Sequence, residues 1–288
     1  MMMSEQQCHS LFQGRVAVLA TMHCKEQVIA PLLQPEFGMQ IVVPSLDTDQ
    51  FGTFTRDIKR SGDQLSAARL KAEAALQLTG NDLALASEGS FGAHPAVPFL
   101  VCNREIVVLI DRANDLEIVG EVLSTETNFS HTQVTCLPEA HAFAEKVGFP
   151  MHGLVVAAGQ SASTPEIVKG ITTTADLTET VTWMLSRLGQ AHLETDMRAM
   201  YNPTRMKVIA QATENLIQKL RCCCPHCSCP GFDVVEQQAG LPCAWCQAPT
   251  SLVLAARYFC KKCGFEQRVL FPNQQETADP AQCLYCNP

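Results

Sequence analysis

Four Cys-x-x-Cys pairs between residues 224 and 288 constrain the folding of this chain more than any other feature of its sequence. Two residues between cysteines let both sulfurs bind one metal ion, and eight thiolates are the ligands of two tetrahedral zinc sites. The sequence therefore predicts a small β-rich module of the zinc-ribbon type, residues 221–288, holding two structural zinc ions. The predicted ligands are Cys224, Cys227, Cys243, Cys246, Cys260, Cys263, Cys283 and Cys286.

The spacing of the pairs does not fix which pairs share a metal ion. Residues 258–265 predict a strand that enters a metal-binding turn, as in the core of a zinc ribbon. We therefore expect the inner pairs, at 243/246 and 260/263, to share one zinc and the outer pairs to share the other, although sequential and cross-braced pairings stay open. Other side chains beside the first pair could replace a ligand, namely Cys222, Cys223, Cys229 and His226. A four-sulfur site leaves no coordination position for water, so its expected role is structural.

Composition and charge narrow the class of protein. Of the 288 residues, 47% are apolar and 17% are charged, which is typical of a soluble globular protein with one full-sized core and a smaller satellite. No apolar run reaches the roughly 20 residues that cross a bilayer, and residues 1–13 lack the order of a secretion signal. We expect a cytoplasmic protein with a flexible stretch at 1–13, no membrane contact, and closely paired cysteines that bind metal rather than form disulfides.

The formal net charge of −8 becomes more negative when thiolates bind zinc, which disfavours non-specific binding to nucleic acid. A local basic patch on the cysteine-rich module could still dock a protein or nucleic-acid partner, through Arg257, Lys261, Lys262 and Arg268.

The residues before the cysteines alternate between predicted strands and predicted helices, which indicates a mixed α/β domain at 14–160. The stretch 161–220 predicts a helical extension packed on that domain. Strands are predicted at 15–20, 39–43, 83–87, 105–110, 116–123 and 153–157. Helices are predicted at 26–33, 63–79, 138–147, 177–188 and 204–220.

Polar side chains follow three of the predicted strands. Thr21, His23 and Lys25 come after the first strand, where a helix N-terminus favours phosphate. Asp47 and Asp49 follow the second strand, and Glu88 follows the third inside a glycine turn at 88–92. Ligands of open α/β sheets bind outside the carboxyl ends of strands. If these turns meet, cations that bind phosphate would face the catalytic carboxylates Asp47, Asp49 and Glu88, which could hold Mg²⁺ or Mn²⁺. Taken singly, each residue could instead be a solvated lysine, a turn former or a cap.

A second cluster lies in the polar segment 194–205. Arg198, Asn202 and Arg205 could close over a phosphate, because arginine forks suit that group. The favoured alternative is a structural brace in which the arginines pair with Glu194 and Asp196.

Several of these segments together resemble a known family. They are Ala20-Thr21-x-His23-x-Lys25, Val43-Pro44-Ser45 with its acidic loop, Ala67-Ala68-Arg69-Leu70-Lys71-Ala72, and Ala86-Ser87-Glu88-Gly89-Ser90-Phe91-Gly92. Over roughly 14–160 this order is similar to that of house-cleaning nucleoside triphosphate pyrophosphatases, in particular the inosine/xanthosine type. The resemblance implies a mixed-sheet pyrophosphatase-like domain in which Lys25 binds phosphate, Arg69 and Lys71 face the cleft, and Glu88 holds the metal. Arg69 and Lys71 could equally form a solvated helix face. Over its full length the chain also resembles a family of uncharacterised bacterial proteins, which supplies no activity.

Two functions follow as hypotheses. The first is a metal-dependent phosphohydrolase acting on a nucleotide or a related phosphorylated small molecule, with a structural zinc module. The alternative is a non-catalytic nucleotide-sensing or adaptor protein whose zinc ribbon binds a protein or nucleic-acid partner. Homo-oligomers are compatible with both.

Overall fold

The computed structural model describes residues 10–52, 62–159 and 166–287. These residues divide into two compact units, Phe12–Ile217 and a cysteine-rich unit that begins at Gln218 and includes the described residues before Phe12. Of the stretch predicted to be a flexible N-terminus, residues 1–9 lie outside the described part, and residues 10–12 are helical. The larger unit is mixed α/β, and the cysteine-rich unit is β-rich.

The first sheet of the larger unit is mixed, with strand order β2-β1-β3-β4-β5. Strand β1 runs parallel to both β2 and β3, whereas β3, β4 and β5 form an antiparallel meander. The apolar segments predicted as strands all lie in this sheet, except the segment at 153–157. The strands are β1 (Val16–Ala20), β2 (Gln40–Val42), β3 (Leu83–Ala93), β4 (Val101–Asp111) and β5 (Leu116–Ser124).

The second sheet is fully antiparallel, with strand order β6-β9-β7-β8. Its strands are β6 (His131–Val134), β7 (Leu154–Ala157), β8 (Ile167–Ile171) and β9 (Ala191–Thr195). The stretch 161–220, expected to be helical, thus also contributes β8 and β9. Each is five residues long and carries polar side chains, so neither produces a strong apolar pattern in the sequence.

In the described ranges, five further helices accompany these sheets. They are α1 (Glu26–Phe37), α2 (Gln64–Thr79), α3 (Leu137–Lys146), α4 (Thr174–Leu188) and α5 (Pro203–Arg221). The capping residues predicted for α2 are confirmed, because the Asp63 side chain accepts a hydrogen bond from the Ser66 amide and Gly80 ends the helix in the left-handed region. Helix α1 continues four residues past its predicted end at residue 33.

Alternating residues of the first sheet form two apolar layers. On one face, Val18 and Ala86 pack against alanines of α2, whose small side chains let the helix approach the sheet closely. On the other face lies α5, which touches β5 at Gly120, where an added Cβ would come 2.5 Å from the Leu216 backbone nitrogen. A separate core joins α3 and α4 to the second sheet.

Strand β3 is longer than predicted, and this changes the setting of Glu88. The glycine-containing segment 88–92 was predicted to be a turn, and that prediction was wrong. Strand β4 pairs with β3 as far as Ala93, so Glu88 faces Ile106 inside an antiparallel ladder. The ladder is held by residues distant in sequence, which overrides the local turn preference of the glycines.

The cysteine-rich unit is built on three antiparallel strands, β10 (Asp233–Ala239), β11 (Val253–Phe259) and β12 (Glu266–Leu270). Asp233 at the start of β10 lies opposite Phe259 at the end of β11. Leu270 at the end of β12 lies opposite Ala255 near the start of β11. The cysteine pairs lie before and after these strands, and therefore at the two ends of the sheet.

Candidate functional site

The turn after β1 places Lys25 in the interior. Cys24 has a positive φ of 59°, an uncommon conformation for a residue other than glycine, and α1 begins directly after Lys25. The Lys25 ammonium donates to the Ser87 carbonyl oxygen at 3.0 Å and to the Ser87 hydroxyl at 2.9 Å. Ser87 lies in β3, one residue past the last position at which β3 pairs with β1.

Two buried ion pairs flank this lysine on opposite faces of the first sheet. Successive residues of a strand point to opposite faces, so Glu88 faces α2 and pairs with Lys71 there. Glu105 faces the other way and receives a hydrogen bond from Arg205 Nε of α5 at 2.7 Å. The Arg205 and Glu105 side chains are both 0% exposed. Charges buried to this degree are costly to desolvate unless they are paired.

A glycine makes room for the second ion pair. A Cβ at position 89 would lie 2.6 Å from Nη2 of Arg205 and closer still to the carboxylate of Glu105. Gly89 is directly opposite Glu105 in the ladder of β3 and β4. The Glu-Gly sequence at 88–89 therefore supplies a carboxylate on one face of the sheet and space for an arginine on the other.

The charges of these groups act on one another. The pKa of Lys25 is lowered to about 7, first by burial and then by the nearby positive charges of Arg205 and Lys71, while Glu88 and Glu105 oppose the shift. Three buried cations thus share their surroundings with two buried carboxylates. An anion bound here would favour the protonated form of Lys25, because an opposite charge stabilises the charged state.

His23 and the two aspartates form a chain of contacts at the same turn. The Nε2 atom of His23 lies 3.1 Å from Oδ1 of Asp49, and the Asp49 amide donates to Oδ1 of Asp47 at 3.0 Å. The amide of His23 donates to the Thr21 hydroxyl at 3.3 Å, so Thr21 helps to hold the turn. The charges of Lys25 and Arg205 act on His23, which places this chain next to the buried cations.

Of the remaining predicted phosphate ligands, Arg198 lies near the site, and Asn202 supports the helix that carries Arg205. Arg198 forms an ion pair with Asp196 at 2.6 Å, lies over the Tyr201 ring, and has Asp49 among the charges acting on it. Asn202 is fully buried and accepts a hydrogen bond from the Arg205 amide, which makes it the cap of α5.

The favoured brace is thus present for Arg198 with Asp196, whereas Arg205 pairs with Glu105. Arg69 lies apart from the site on α2, in a partly exposed ion pair with Glu117 at 2.6 Å.

The three predicted catalytic carboxylates do not come together as metal ligands. Over the described ranges, the only groups of three or more potential ligand atoms lying within 4.8 Å of one another are formed by cysteines. Glu88 is held by Lys71, and Asp49 is held by His23. The structure therefore brings together cations and carboxylates as pairs, and Asp47, Asp49 and Glu88 do not form one carboxylate cluster.

Sequence reasoning missed Glu105, Gln64 and Ser87. Glu105 begins the predicted strand at 105–110 and shares a face of it with the buried residues Val107 and Leu109, so its period-2 position was the signal for a buried carboxylate. Gln64 donates from Nε2 to the Glu88 carbonyl oxygen at 2.7 Å, which fixes β3 beside the start of α2. Nothing local marks Gln64 or Ser87, because their partners are distant in sequence.

The eight cysteines of the Cys-x-x-Cys pairs form two groups of four. Cys224, Cys227, Cys260 and Cys263 make the first group, and Cys243, Cys246, Cys283 and Cys286 make the second. Across each group, the sulfurs of different pairs lie 3.6 to 3.8 Å apart. Four sulfurs at about 2.3 Å from a tetrahedral ion are separated by about 3.8 Å. Both groups therefore fit a four-coordinate metal ion.

The grouping differs from the expected pairing of inner with inner and outer with outer. It is the cross-braced alternative, in which the first pair joins the third and the second joins the fourth. The reason is strand direction. The first pair precedes β10 and the third follows β11, so both lie at one end of the antiparallel sheet. The second pair follows β10 and lies at the other end, to which the chain also returns through β12.

The pairs share one backbone design. In each, the residue after the second cysteine donates its amide to the carbonyl of the first cysteine, as Ser228 does to Cys224 at 2.8 Å. Ser228, Gln247 and Gly264 at this position all have positive φ. Cys222, Cys223, Cys229 and His226 belong to neither group. The sites are thus closed by four sulfurs each, as structural sites are.

The basic residues of this unit do not form one free patch. Arg257 pairs with Glu236 at 3.0 Å and with Glu266 at 2.9 Å, and Arg268 bonds the Gln238 side chain. Lys261 and Lys262, between the cysteines of the third pair, are exposed. Throughout the described ranges, no helix is long and apolar enough to span a membrane.

Comparison with known proteins places the chain by family. A search among curated proteins finds no match to it. A family model described as "Domain of unknown function (DUF6671)" matches residues 71–288. This match includes Lys71, Glu88, Glu105 and Arg205 together with both cysteine groups, and it begins after the turn that carries His23 and Lys25. Because the match extends over most of the 288 residues, the chain belongs to the family described as Domain of unknown function (DUF6671).

Proposed function

We propose that the larger unit is a phosphohydrolase acting on a nucleotide or a related phosphorylated small molecule. The observation that carries this proposal is the gathering of Lys25, Lys71 and Arg205 from three separate elements into one buried charge cluster. Burying three cations destabilises a fold, so such a cluster indicates a site that meets an anion. The resemblance to inosine/xanthosine-type pyrophosphatases supports the same proposal, including a pyrophosphatase-like fold for this unit.

The proposed chemistry uses these cations as preorganised partners of phosphate oxygens. Hydrolysis of a phosphoanhydride places negative charge on the leaving phosphate, and fixed cations in a site that excludes water stabilise that charge strongly. Glu88 and Glu105 hold Lys71 and Arg205 in position through ion pairs. Arg198, half-buried beside Asp196, is the residue that would close over the outer phosphates.

The proposal includes Mg²⁺ or Mn²⁺ as a partner of the substrate. Magnesium keeps most of its water and is often bound chiefly by substrate phosphates, so it need not have a cage of protein carboxylates. The described carboxylates at the site are engaged by cations, and we assign none of them as a metal ligand.

For the cysteine-rich unit we propose two structural zinc ions in a zinc-ribbon-type module. Sulfur donors at tetrahedral separations suit zinc, and in a cytoplasmic protein zinc is the common occupant of four-thiolate sites. Closed sites of this kind stabilise a fold that is too small for a large apolar core.

The test of the phosphohydrolase is turnover of a panel of nucleoside mono-, di- and triphosphates with Mg²⁺ or Mn²⁺, measured as released phosphate and pyrophosphate. We expect Glu88→Gln to lower kcat/KM for the best substrate by at least about 100-fold, because Lys71 loses the charge that positions it. Glu117→Gln is the matched control, since Glu117 pairs with Arg69 away from the site. An inactive but folded, zinc-loaded wild type would refute the proposal.

A second candidate function is a non-catalytic nucleotide-sensing or adaptor protein, a monomer or a homo-oligomer. It is favoured by the ion pairs of Lys71 and Arg205, because cations already held by carboxylates bind anions less strongly. Its cysteine-rich unit would contact a protein, or less readily a nucleic acid, through the exposed side chains Trp245, Leu284 and Tyr285. Nucleotide-dependent thermal stabilisation without turnover would favour this function over hydrolysis.

A further inference from the structure

We infer that His23 is the catalytic base of the proposed phosphohydrolase and that Asp49 is the residue that orients it. This inference rests on the proposed function. The sequence and the resemblance suggested only phosphate binding for His23, and the structure adds a histidine-carboxylate pair at the edge of the buried cation cluster.

The geometry of the pair defines the direction in which a proton can move. Nε2 of His23 lies 3.1 Å from Oδ1 of Asp49. A carboxylate accepts hydrogen bonds and donates none, so Nε2 carries the hydrogen of the neutral ring and Nδ1 is left with a lone pair. Within residues 10–52, 62–159 and 166–287, Nδ1 of His23 makes no hydrogen bond, which leaves it available to accept a proton.

The aspartate is itself held in place. Asp49 begins a short 3₁₀ helix, Asp49–Phe51, and its amide donates to the Asp47 carboxylate at 3.0 Å. Asp47 thus fixes the backbone that aims the Asp49 side chain. His23 is fixed from the other side by the hydrogen bond of its amide to Thr21. Bases held in this way are typical of enzymes that activate a hydroxyl group or water.

The charges facing the imidazole favour its neutral form. Burial lowers the pKa of His23 below its usual 6.5, Lys25 on the same turn and Arg205 of α5 lower it further, and Asp49 opposes the shift. The ring is therefore uncharged at neutral pH, which is the state that a base requires. The same two cations lie where a phosphate would bind, so the base and the anion site are adjacent.

The step balances as a hydrolysis. Nδ1 of His23 takes one proton from a water molecule while the water oxygen forms a bond to phosphorus. The bond from phosphorus to the bridging oxygen breaks, and its electron pair stays on the leaving phosphate, whose charge Lys25 and Arg205 stabilise. The imidazolium, stabilised by Asp49, then gives its proton to the leaving group or to solvent, and the site returns to its starting state.

The experiment measures kcat and kcat/KM between pH 5 and 9 for wild type, His23→Ala, Asp49→Asn and the control His141→Ala, whose histidine is exposed on α3. We expect the wild-type kcat/KM to rise with pH through an apparent pKa below 6.5 and to fall again above about pH 7, where Lys25 of the free protein loses its charge. His23→Ala should lose about 100-fold or more and lose this rising limb, because general bases contribute roughly 10² to 10⁴. Added imidazole should restore part of the rate. Asp49→Asn should move the limb to lower pH, since its charge raises the pKa of His23.

The outcomes separate this inference from the proposed function. Wild-type inactivity across the substrate panel overturns both. An active wild type whose rate and pH profile are unchanged by His23→Ala overturns only the role of His23. If the alanine variant does not fold, His23→Gln replaces it, and titration of the His23 ring by NMR in wild type and Asp49→Asn tests the pair directly. An unshifted ring, with the same pKa in both proteins, would also overturn the inference.

Discussion

Gly89 leaves space for the ion pair of Glu105 and Arg205, because the Cβ of any other residue at this position would collide with both side chains. The residue is needed for space rather than for a special backbone conformation, because it lies within a regular antiparallel ladder. A side chain here would push apart the charges of Glu105 and Arg205, and neither charge could turn to solvent instead, because both side chains are fully buried.

We predict that Gly89→Ala lowers the free energy of unfolding by about 3 kcal/mol, through overpacking and disruption of a buried ion pair. Gly92→Ala, three positions further along the same strand, is the control, since an added Cβ there meets nothing within 4 Å. Its effect should stay under about 1 kcal/mol. Urea denaturation followed by circular dichroism measures both, and equal effects of the two substitutions would contradict the prediction.

Lys25 should make stability depend on pH in a defined direction. Its pKa is about 7 in the folded protein and has its ordinary value, about 10.4, in the unfolded chain. Between these values the unfolded chain binds more protons, so the free energy of unfolding rises with pH, by up to about 1.4 kcal/mol per unit.

Lys25→Met lacks this titration, and we expect its stability relative to wild type to fall as the pH is raised from 7 to 9. Denaturation of both proteins at several pH values gives the difference, in which the titration of thiols and other shared groups cancels. Parallel pH dependence of the two proteins would mean that Lys25 titrates normally.

At the scale of elements, the cysteine groups depend on how many strands separate one pair from the next. One antiparallel strand carries the chain to the opposite end of a sheet, so β10 separates the first pair from the second, and β11 separates the second from the third. Consecutive pairs therefore belong to different four-sulfur groups. Counting strands between pairs, rather than residues, would have given the observed grouping.

Metal content of double variants tests this grouping. Cys224→Ser with Cys260→Ser damages one site twice, and we expect about one zinc per chain to remain. Cys243→Ser with Cys260→Ser damages both sites and should leave neither zinc tightly bound. Atomic absorption after gel filtration measures the stoichiometry. One zinc retained in the second variant and none in the first would instead indicate the inner-with-inner pairing.

At the scale of the whole molecule, the sequence predicted those features that depend on nearby residues. Asp63 and Gly80 mark the ends of α2 by local capping, and both were identified. The alternation of strands and helices indicated the α/β class, and the cysteine pairs indicated four-sulfur sites.

What could not be predicted depends on distant partners. The extended β3 at Glu88 requires β4, the burial of Glu105 requires Arg205 from 100 residues away, and the short strands β8 and β9 require β7. Each of these features is stabilised by contacts that form only when the chain folds, so the local sequence pattern does not indicate it.

Because the two cysteine groups alternate along the sequence, they become complete at different times during synthesis of the chain. On a ribosome, the first cage can close once Cys263 has emerged, whereas the second waits for Cys283 and Cys286. Until then Cys243 and Cys246 lie between the pairs of the completed first group and lack the other two members of their own group. The two groups are thus completed in order along the chain, because the second needs cysteines that are synthesised after Cys263.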